Sequence, residues 1–591
     1  MKSAPKSLKS IFTLRSFSVR VFFVFGVLIF SVNVLAARYF NLQISNHQEW
    51  KKEALAQQTK IIDFSPERGE ILTRDKEGNL QPLAVNKHVF NLAISPNDAG
   101  PDKEKAAQLL SDKLSLPYPD VLKKLSKEND LYEVLVKNIP EEKLDEIKQL
   151  EIGGLIIEDE KSRFYPLKEF ASHAIGFVGF NDQDELSGRY GIELGLDSVL
   201  SGTGPDKESV ESFLSRGSFL GVSSLYKKNG DNVVLTIDPM VQRETEKLLA
   251  EEVEKWKAES GNAIVMDPKT GRIIAFAGYP NFDPNQYAKE EDLSVFLNSA
   301  VSLRYEPGSV FKPFSLAAGL SSKKISPTTE YFDGGEIKID GRTIRNAGSS
   351  KPNKNISMSL FLERSYNLGA VFIQRTVGNE FFKNFIVKNL DFEEKSGIDL
   401  PQEIQSSFRN LYSNEAKDID FATASFGQGV AVTPIKLLQE FSAFGNNGVM
   451  MKPFIVGEII FDDGKTAATE PKIAKQTMAR EVVQQALPLL ENVVSGEHGS
   501  GKAAGIKGYR IAGKTGTGEI ALEDGKGYSE KVNHSFLGLA PVSDPKFVIL
   551  TRIEDPKGVR YAEATAVPLF RKIMKFVLDY YAVPPDAVVS P

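Results

Sequence analysis

The 591-residue sequence contains no cysteine and only five histidines. Without cysteine the chain has no disulfide, no thiolate metal site and no cysteine nucleophile. The histidines are His47, His88, His173, His498 and His534. They are scattered and lack the i, i+4 spacing of a paired metal site. The formal net charge of -6 is small for this length, so no nucleic-acid partner is indicated. The sequence therefore predicts neither a metal nor another cofactor.

An uncharged apolar run, residues 21–37, lies near the N-terminus between Arg20 and Arg38. At ~1.5 Å per residue it spans about 25 Å, near the lower limit for a helix that crosses a bilayer. Lysine and arginine precede it without any acidic residue, which predicts a cytoplasmic N-terminus and an external main body. A cleaved signal peptide is the alternative, with Val34-Leu35-Ala36 as its cleavage site. The length of the run favours an uncleaved anchor.

The remaining sequence is long enough for more than one core. Residues 38–60 are polar and helix-prone, and residues 61–225 mix short apolar runs with charged helical stretches. Residues 212–232 have linker composition. Beyond them, a hairpin around Pro268-Lys269-Thr270-Gly271 and strands at residues 509–520, 534–539 and 547–553 predict an α+β domain, an antiparallel sheet flanked by helices.

Ser309 and Lys312 have the spacing of a nucleophile and its base. A serine hydroxyl attacks poorly unless a neighbour takes its proton, and no Ser-His-Asp arrangement is visible. If Pro307-Gly308 ends a loop and a helix begins at Ser309, the three-residue spacing puts both side chains on one face. Alone, this pair is a weak signal, because serine and lysine often occur three residues apart by chance.

The segment Lys514-Thr515-Gly516-Thr517 is rich in glycine and reads as a strand. Glycines in a strand often allow another chain to come close. A substrate peptide can then add beside this edge, with the lysine charge and two threonine hydroxyls holding a carboxylate. The alternative is a glycine-rich turn with a solvated lysine.

Ser365-Tyr366-Asn367 lies between these two segments. The ordered triple, downstream of a membrane anchor, resembles the penicillin-binding proteins, and specifically the class B, single-pass transpeptidases. The similarity covers residues 60–575 and includes Arg68-Gly69-Glu70-Ile71 after the anchor. Ser425-Phe426-Gly427-Gln428-Gly429 and Pro568-Leu569-Phe570 favour the division-type branch over the elongation type.

This resemblance implies the penicillin-binding transpeptidase fold on an elongated mixed pedestal. The expected divisions are a cytoplasmic tail 1–20, a transmembrane anchor 21–37, a stalk and dimerisation-type pedestal 38–225, a transpeptidase domain 226–575 and a C-terminal tail 576–591. The chain would sit in the cytoplasmic membrane with its catalytic domain outside. Expected partners are stem peptides ending in D-Ala-D-Ala, β-lactams, and a polytopic membrane glycosyltransferase with other division proteins.

The resemblance also implies a role for each motif residue. Ser309 would be the acylated nucleophile, Lys312 its base and Ser365 a proton relay. The expected substrate-binding residues are Asn367, Lys514, Thr515, Gly516 and Thr517. The backbone N–H groups of Ser309 and Thr517 would form the oxyanion hole.

Other functions remain open from the sequence. An elongation-type transpeptidase shares most of these blocks. A D,D-carboxypeptidase or β-lactamase-like serine hydrolase shares the three motifs but needs efficient delivery of water, and the anchor and large N-terminal region argue against a β-lactamase. An inactive scaffold of the division machinery is the non-enzymatic alternative.

Overall fold

The structure, a computed structural model, describes residues 9–45, 66–128, 130–181, 186–204, 228–412, 415–522 and 527–587. The chain divides into two compact units. One comprises Met1–Pro66 with Thr203–Lys228, and the other comprises Glu67–Gly202 with Asn229–Pro591. Residues 46–60 of the predicted stalk and 212–227 of the predicted linker lie outside the described residues, as does the predicted boundary at residue 225.

The first unit contains one long helix, α1, Lys9–Phe40. Its segment Val21–Phe40 has 20 residues and a mean hydropathy of 2.2, with none of it buried. At ~1.5 Å per residue it is about 30 Å long, the thickness of a hydrocarbon core. The helix includes residues 9–20 of the predicted tail and continues past residue 37, because neither extension contains a proline or glycine that would stop it.

Among the described residues, the second unit contains the remaining α-helices and all of the strands. The α-helices are α2 (Lys103–Leu114), α3 (Tyr118–Leu125), α4 (Leu144–Lys148), α5 (Ser172–Ile175), α6 (Gly191–Gly195), α7 (Asp197–Leu200), α8 (Pro239–Lys255), α9 (Ser299–Ser302), α10 (Lys312–Ser321), α11 (Met358–Glu363), α12 (Asn367–Val377), α13 (Asn379–Asn384), α14 (Asp418–Ala424), α15 (Pro434–Ser442), α16 (Arg480–Ser495) and α17 (Ala566–Tyr580). The strands are β1 (Ile71–Arg74), β2 (Leu80–Ile94), β3 (Glu133–Ile139), β4 (Leu155–Phe164), β5 (Val178–Phe180), β6 (Leu186–Gly188), β7 (Asn232–Leu235), β8 (Ser260–Met266), β9 (Ile273–Tyr279), β10 (Glu330–Asp333), β11 (Glu336–Ile339), β12 (Arg342–Arg345), β13 (Lys354–Ser357), β14 (Val449–Met451), β15 (Val456–Ile460), β16 (Thr466–Ala468), β17 (Ile473–Gln476), β18 (Ala512–Ala521), β19 (Tyr528–Ala540) and β20 (Phe547–Glu554).

A mixed sheet joins strands that are distant in the sequence. Its order is β16-β15-β7-β1-β2-β3, with β4 paired to β2. Strands β1 and β7 run parallel, while β1 and β2 are antiparallel. Helices α2 and α3 pack on β2 and β3 around Leu92, Leu110 and Leu125. These residues form a hydrophobic core that is separate from the two hydrophobic cores on either side of the second sheet.

A second sheet consists of five antiparallel strands in the order β18-β19-β20-β8-β9. Successive residues of a strand face opposite sides. Val265 accordingly belongs to the core formed with helices α8 and α17, whereas Ile264 belongs to the core formed with the helices of the middle sequence. The predicted α+β fold, an antiparallel sheet flanked by helices, is confirmed.

The predicted strands are present with shifted ends. Strands β8 and β9 form the predicted hairpin, and β18, β19 and β20 are the three later strands. Strand β19 begins at Tyr528 rather than at residue 534, because pairing with β18 continues out to Ala521. Helix α17 crosses residues 575 and 576, where the sequence suggested that a tail begins.

Candidate active site

Ser309 lies in a short 3-10 turn, Gly308–Phe311, that leads into α10. The α-helix therefore begins three residues later than expected. Pro313 explains this difference, because it has no N–H to donate to the carbonyl of Ser309, and the 3-10 bond from Lys312 N to Ser309 O forms instead. In a 3-10 turn the side chains at i and i+3 are eclipsed, so Ser309 and Lys312 still project from the same side.

Strand β18 lies directly against this turn. A Cβ at Gly516 would be 2.8 Å from Val310 Cγ1 and 3.0 Å from Pro307 O, and one at Gly518 would be 2.1 Å from Glu306 O. Only glycine allows so close an approach. The glycine-rich segment is therefore an edge strand, not a turn, and its glycines bring the backbone of β18 against the turn that carries Ser309.

The turn is also held from its other side. Gly308 has φ +57° and its N–H donates to Gly427 O at 3.0 Å. A Cβ on Gly427 would lie 2.2 Å from Gly308 O. In the sequence, the segment that contains Gly427 indicated only which branch of the family the chain resembles. The contact of Gly427 with the nucleophile turn was therefore not predicted.

The Lys312 ammonium group is fully buried and contacts the second motif. Its Nζ donates to Ser365 O at 2.5 Å, to Asn367 Oδ1 at 2.9 Å and to Ser365 Oγ at 3.2 Å. Burial, and then the nearby charge of Lys514, lower the pKa of Lys312 well below its usual value. Within the described residues no hydrogen bond joins Lys312 Nζ to Ser309 Oγ.

Lys514 reaches the same serine from β18. Its Nζ donates to Ser365 Oγ at 2.9 Å, to Thr515 Oγ1 at 3.1 Å and to Thr515 O at 3.2 Å. Burial lowers the pKa of Lys514 to about 7, and the carboxyl of Glu563 opposes that shift. The Ser365 hydroxyl thus lies between two buried lysines that both favour the neutral form more than a free lysine does.

The structure brings the three predicted motifs together, with differences in detail. Lys514 is buried and its Nζ faces Ser365. Its contribution to binding a substrate carboxylate is therefore its charge, because its side chain offers little exposed surface. Thr515 is also buried, with its hydroxyl 3.0 Å from Ser500 Oγ. Thr517 is half-buried on the same edge strand. Ser500 and Glu563 were not predicted, because no local motif connects either residue to β18.

No group of three or more His, Asp or Glu side chains in the described part of the chain is arranged to hold a metal ion. The groups that meet at the site are hydroxyls, amines and amides, from Ser365, Lys312, Lys514 and Asn367.

An edge strand packed against a buried serine turn, with two lysines sharing a second serine, has the form of a penicillin-recognising enzyme. Comparison with known proteins gives the same class. Residues 261–575 match the family model described as the penicillin binding protein transpeptidase domain, and residues 63–235 match the penicillin-binding protein dimerisation domain. The chain belongs to the penicillin-binding protein transpeptidase family.

Similar curated proteins match along nearly the whole chain. Stage V sporulation protein D of Bacillus subtilis is 31% identical over 95% of this chain and 85% of its own length. Peptidoglycan D,D-transpeptidase FtsI of Escherichia coli K12 is 28% identical over 96% of this chain and 92% of its own length. These relatives and the two matched domains are consistent with a class B penicillin-binding protein of the division type.

Solved structures share the fold. Penicillin binding protein 2X from Streptococcus thermophilus superposes with a TM-score of 0.72 at 21% identity, covering 88% of this chain and 80% of that one. Penicillin binding protein 3 from Mycobacterium tuberculosis, complexed with aztreonam, has a TM-score of 0.67 at 22% identity and covers 88% of this chain and 98% of that one.

Proposed function

We propose that this chain is a membrane-anchored peptidoglycan D,D-transpeptidase of the division type that works through an acyl-enzyme on Ser309. The observation that carries the proposal is the position of the Ser365 hydroxyl, 2.9 Å from Lys514 Nζ and 3.2 Å from Lys312 Nζ. This contact joins residues of all three motifs into one hydrogen-bonded group beside the nucleophile turn.

Acylation begins when the Ser309 hydroxyl adds to the carbonyl of the penultimate D-alanine. Its proton passes to Lys312 Nζ, whose lowered pKa favours the neutral form that a base requires. Lys312 must give up one of the hydrogen bonds that its Nζ now donates and turn its lone pair to accept from the Ser309 hydroxyl, a change that substrate binding commonly completes.

The C–N bond to the terminal D-alanine then breaks. The departing amine takes a proton from Lys312 by way of Ser365 Oγ, and an ester remains on Ser309. An amine from a neighbouring stem peptide adds to that ester and returns its proton along the same route to the Ser309 oxygen. The products are one crosslink and one free D-alanine.

The edge strand supplies the binding groups. Lys514, Thr515 and Thr517 hold the terminal carboxylate, since charge-assisted hydrogen bonds are stronger than neutral ones, and Gly516 lets the strand lie against the turn. Asn367 binds the substrate amide. The backbone N–H groups of Ser309 and Thr517 stabilise the oxyanion, where losing one donor typically costs about 100-fold in rate.

Labelling with a fluorescent penicillin tests the nucleophile. We expect the full-length protein in detergent to be labelled covalently and Ser309→Ala to show no label. Ser321→Ala, at the end of the helix that follows the Ser309 turn, is the matched control and should label fully. Equal labelling of Ser309→Ala and the parent would show that another group is acylated.

The lifetime of the labelled enzyme separates a transpeptidase from a hydrolase. A transpeptidase should keep the acyl group for many minutes and form crosslinked dimers when a stem-peptide donor and an amine acceptor are supplied. Release within seconds without crosslinked product would identify a carboxypeptidase or β-lactamase.

The position in the cell follows from α1. We propose a single pass through the cytoplasmic membrane with the N-terminus inside, because the residues before the apolar segment are basic. A polytopic glycosyltransferase and other division proteins are the proposed partners. A fluorescent fusion should concentrate at mid-cell, whereas a uniform side-wall pattern would favour the elongation role.

A further inference from the structure

A carboxylate is buried behind the second motif. Asp333, at the end of β10, is completely buried. It accepts hydrogen bonds from Tyr331 OH at 3.0 Å and from Gly335 N at 2.8 Å. The side-chain nitrogen of Asn346 lies 3.0 Å from one carboxylate oxygen and 2.9 Å from the other. Burying a charge is costly unless it is paired or well hydrogen-bonded, so this many converging neutral donors implies a site built to hold it.

The carboxylate fixes which way the Asn346 amide points. A carboxylate only accepts and a backbone N–H only donates, so Asn346 must turn Nδ2 towards Asp333 and Oδ1 away from it. Asn346 Oδ1 then accepts from Leu368 N at 3.1 Å, at the first turn of α12. A flipped amide would lose both interactions, because Asn346 Nδ2 would then face the N–H of Leu368 and Asn346 Oδ1 would face the Asp333 carboxylate.

Arg345, the residue before Asn346, fixes the orientation of the Asn367 amide in the same way. Asn367 Nδ2 donates to Arg345 O at 2.9 Å, which leaves Asn367 Oδ1 to accept from Lys312 Nζ at 2.9 Å. Just before it, Ser365 adopts φ +54°, a backbone conformation that is uncommon outside glycine. A turn with this local cost requires support from the surrounding structure, and residues 345 and 346 supply it.

We propose that Asp333 and Asn346 are positioning residues that set the orientation of Asn367 and the second-motif turn relative to Lys312. Neither residue touches substrate in this scheme; both act through Leu368 N and the strand end at Arg345. The inference rests on the proposed function only for its kinetic readout, since the geometry stands independently.

The substitution Asp333→Asn tests the relay. It keeps the shape of the side chain but replaces one of the two oxygens beside Asn346 Nδ2 with a donating NH2 group. The hold on the Asn346 amide should weaken, and with it the hold on Leu368 N. We expect the first-order rate of acylation by a β-lactam to fall about 10- to 100-fold, the usual cost of displacing a catalytic group by about 1 Å. Initial β-lactam binding should change far less.

A swapped double variant should rescue the rate. In Asp333→Asn/Asn346→Asp, the new carboxylate at position 346 accepts from the amide at position 333 and from Leu368 N. The bond between positions 333 and 346 then runs in the opposite direction, but Leu368 N keeps its acceptor. Asp340→Asn is the matched control, because Asp340 lies in the connected β11–β12 hairpin and its carboxylate accepts from Ile419 N at 2.9 Å. It should leave acylation unchanged.

The outcomes separate positioning from mere stability. A lower melting temperature in Asp333→Asn with an unchanged acylation rate per folded molecule would overturn the proposal, as would a double variant as slow as the single one. If the parent itself is not acylated, the proposed function fails, and a crystal structure of Asp333→Asn then decides the inference. Asn367 Oδ1 displaced from Lys312 Nζ would support it, and an unmoved Asn367 would overturn it.

Discussion

Ser365 is the residue at which the three motifs meet, because its hydroxyl lies between Lys312 and Lys514. A hydroxyl oxygen has two lone pairs and one hydrogen. It can accept from a charged lysine on one side and donate to a neutral one on the other. This arrangement suits a cluster in which Lys312 is the base and Lys514 the cation, and it makes the protonation of the two lysines interdependent.

The pH dependence of acylation should follow these two lysines. The rate should fall on the acid side as Lys312 becomes protonated, and on the alkaline side as pH rises through about 7, where Lys514 loses the charge that attracts the carboxylate. Because the carboxyl of Glu563 raises the pKa of Lys514, Glu563→Gln should move the alkaline limb to lower pH. Glu563 is solvent-exposed, so the shift should be small and should shrink with added salt.

Stopped-flow acylation between pH 5 and pH 10, in low and high salt, measures this effect. Glu530→Gln, an exposed carboxyl on β19, is the control and should leave the profile in place. The prediction is wrong if Glu563→Gln does not change the pH at which the rate falls on the alkaline side, or if the rate does not fall there. Either result would show that the charge of Lys514 does not limit acylation.

At the site, sequence reasoning predicted which residues come together and was less informative about their contacts. The motifs containing Ser309, Ser365 and Lys514 do converge, because each carries a chemical requirement readable from residue type and spacing. Lys312 Nζ donates to Ser365 and Asn367, which the residue spacing did not indicate, and its pairing with Ser309 stays a prediction. Asp333 could not be found in this way, because its link to Asn346 is a tertiary contact without a local pattern.

At the scale of elements, the active site depends on how closely β18 approaches the nucleophile turn. Side chains at positions 516 and 518 of this strand would collide with Pro307 O, Val310 or Glu306 O. The sequence showed glycines in a strand and left a turn as the alternative. The deciding fact is tertiary, because the turn that occupies the space above Gly516 lies some two hundred residues earlier in the chain.

The variant Gly516→Ala should separate the strand from the turn. Its Cβ would meet Ser535 Oγ at 2.5 Å and Val310 Cγ1 at 2.8 Å, so either the serine turn or β18 must move. We expect acylation to slow at least about 10-fold, with a destabilisation of about 1–3 kcal/mol from overpacking.

Acylation rate and thermal unfolding of the same preparation measure both effects. Gly334→Ala is the control, because its Cβ would have only Phe332 Cε1 within 4 Å, at 3.8 Å. A Gly516→Ala protein that is acylated at the parental rate would show that the close approach is not needed for catalysis.

At the scale of the whole molecule, the predicted fold is confirmed, while the division into tail, anchor, pedestal, catalytic domain and C-terminal tail stays a prediction. Periodicity and turn residues were sufficient for the strands of the catalytic sheet. They could not show that β15, from late in the chain, pairs with β7 and so brings β16 into the sheet of the N-terminal region. Such pairing is set by tertiary packing, which leaves no local sequence signal.

The described part of the C-terminal segment returns to the root of the catalytic edge strand. Asp586 accepts from Arg510 N at 2.7 Å and from Ser543 N at 3.1 Å. Its own N–H donates to Gly508 O at 3.1 Å, and Tyr509 OH donates to Val583 O at 2.6 Å. These bonds hold the chain just before β18 begins at Ala512, so residues beyond helix α17 support the strand that carries Lys514.

The variant Asp586→Ala should therefore weaken the fold and, to a smaller degree, the reaction. Removing the carboxylate leaves two backbone N–H groups without their acceptor, which costs about 1–3 kcal/mol where they are shielded from water, so the melting temperature should fall by several degrees. Acylation should slow less than in Gly516→Ala, because the start of β18 loosens while its contact with the serine turn persists.

Asp579→Ala removes an exposed carboxylate that pairs with Lys575 on α17 and should change neither quantity, since exposed ion pairs contribute little. Thermal unfolding in detergent, with and without bound β-lactam, measures the difference. A melting temperature for Asp586→Ala equal to that of Asp579→Ala would show that the C-terminal segment merely rests on the domain and does not support its active edge.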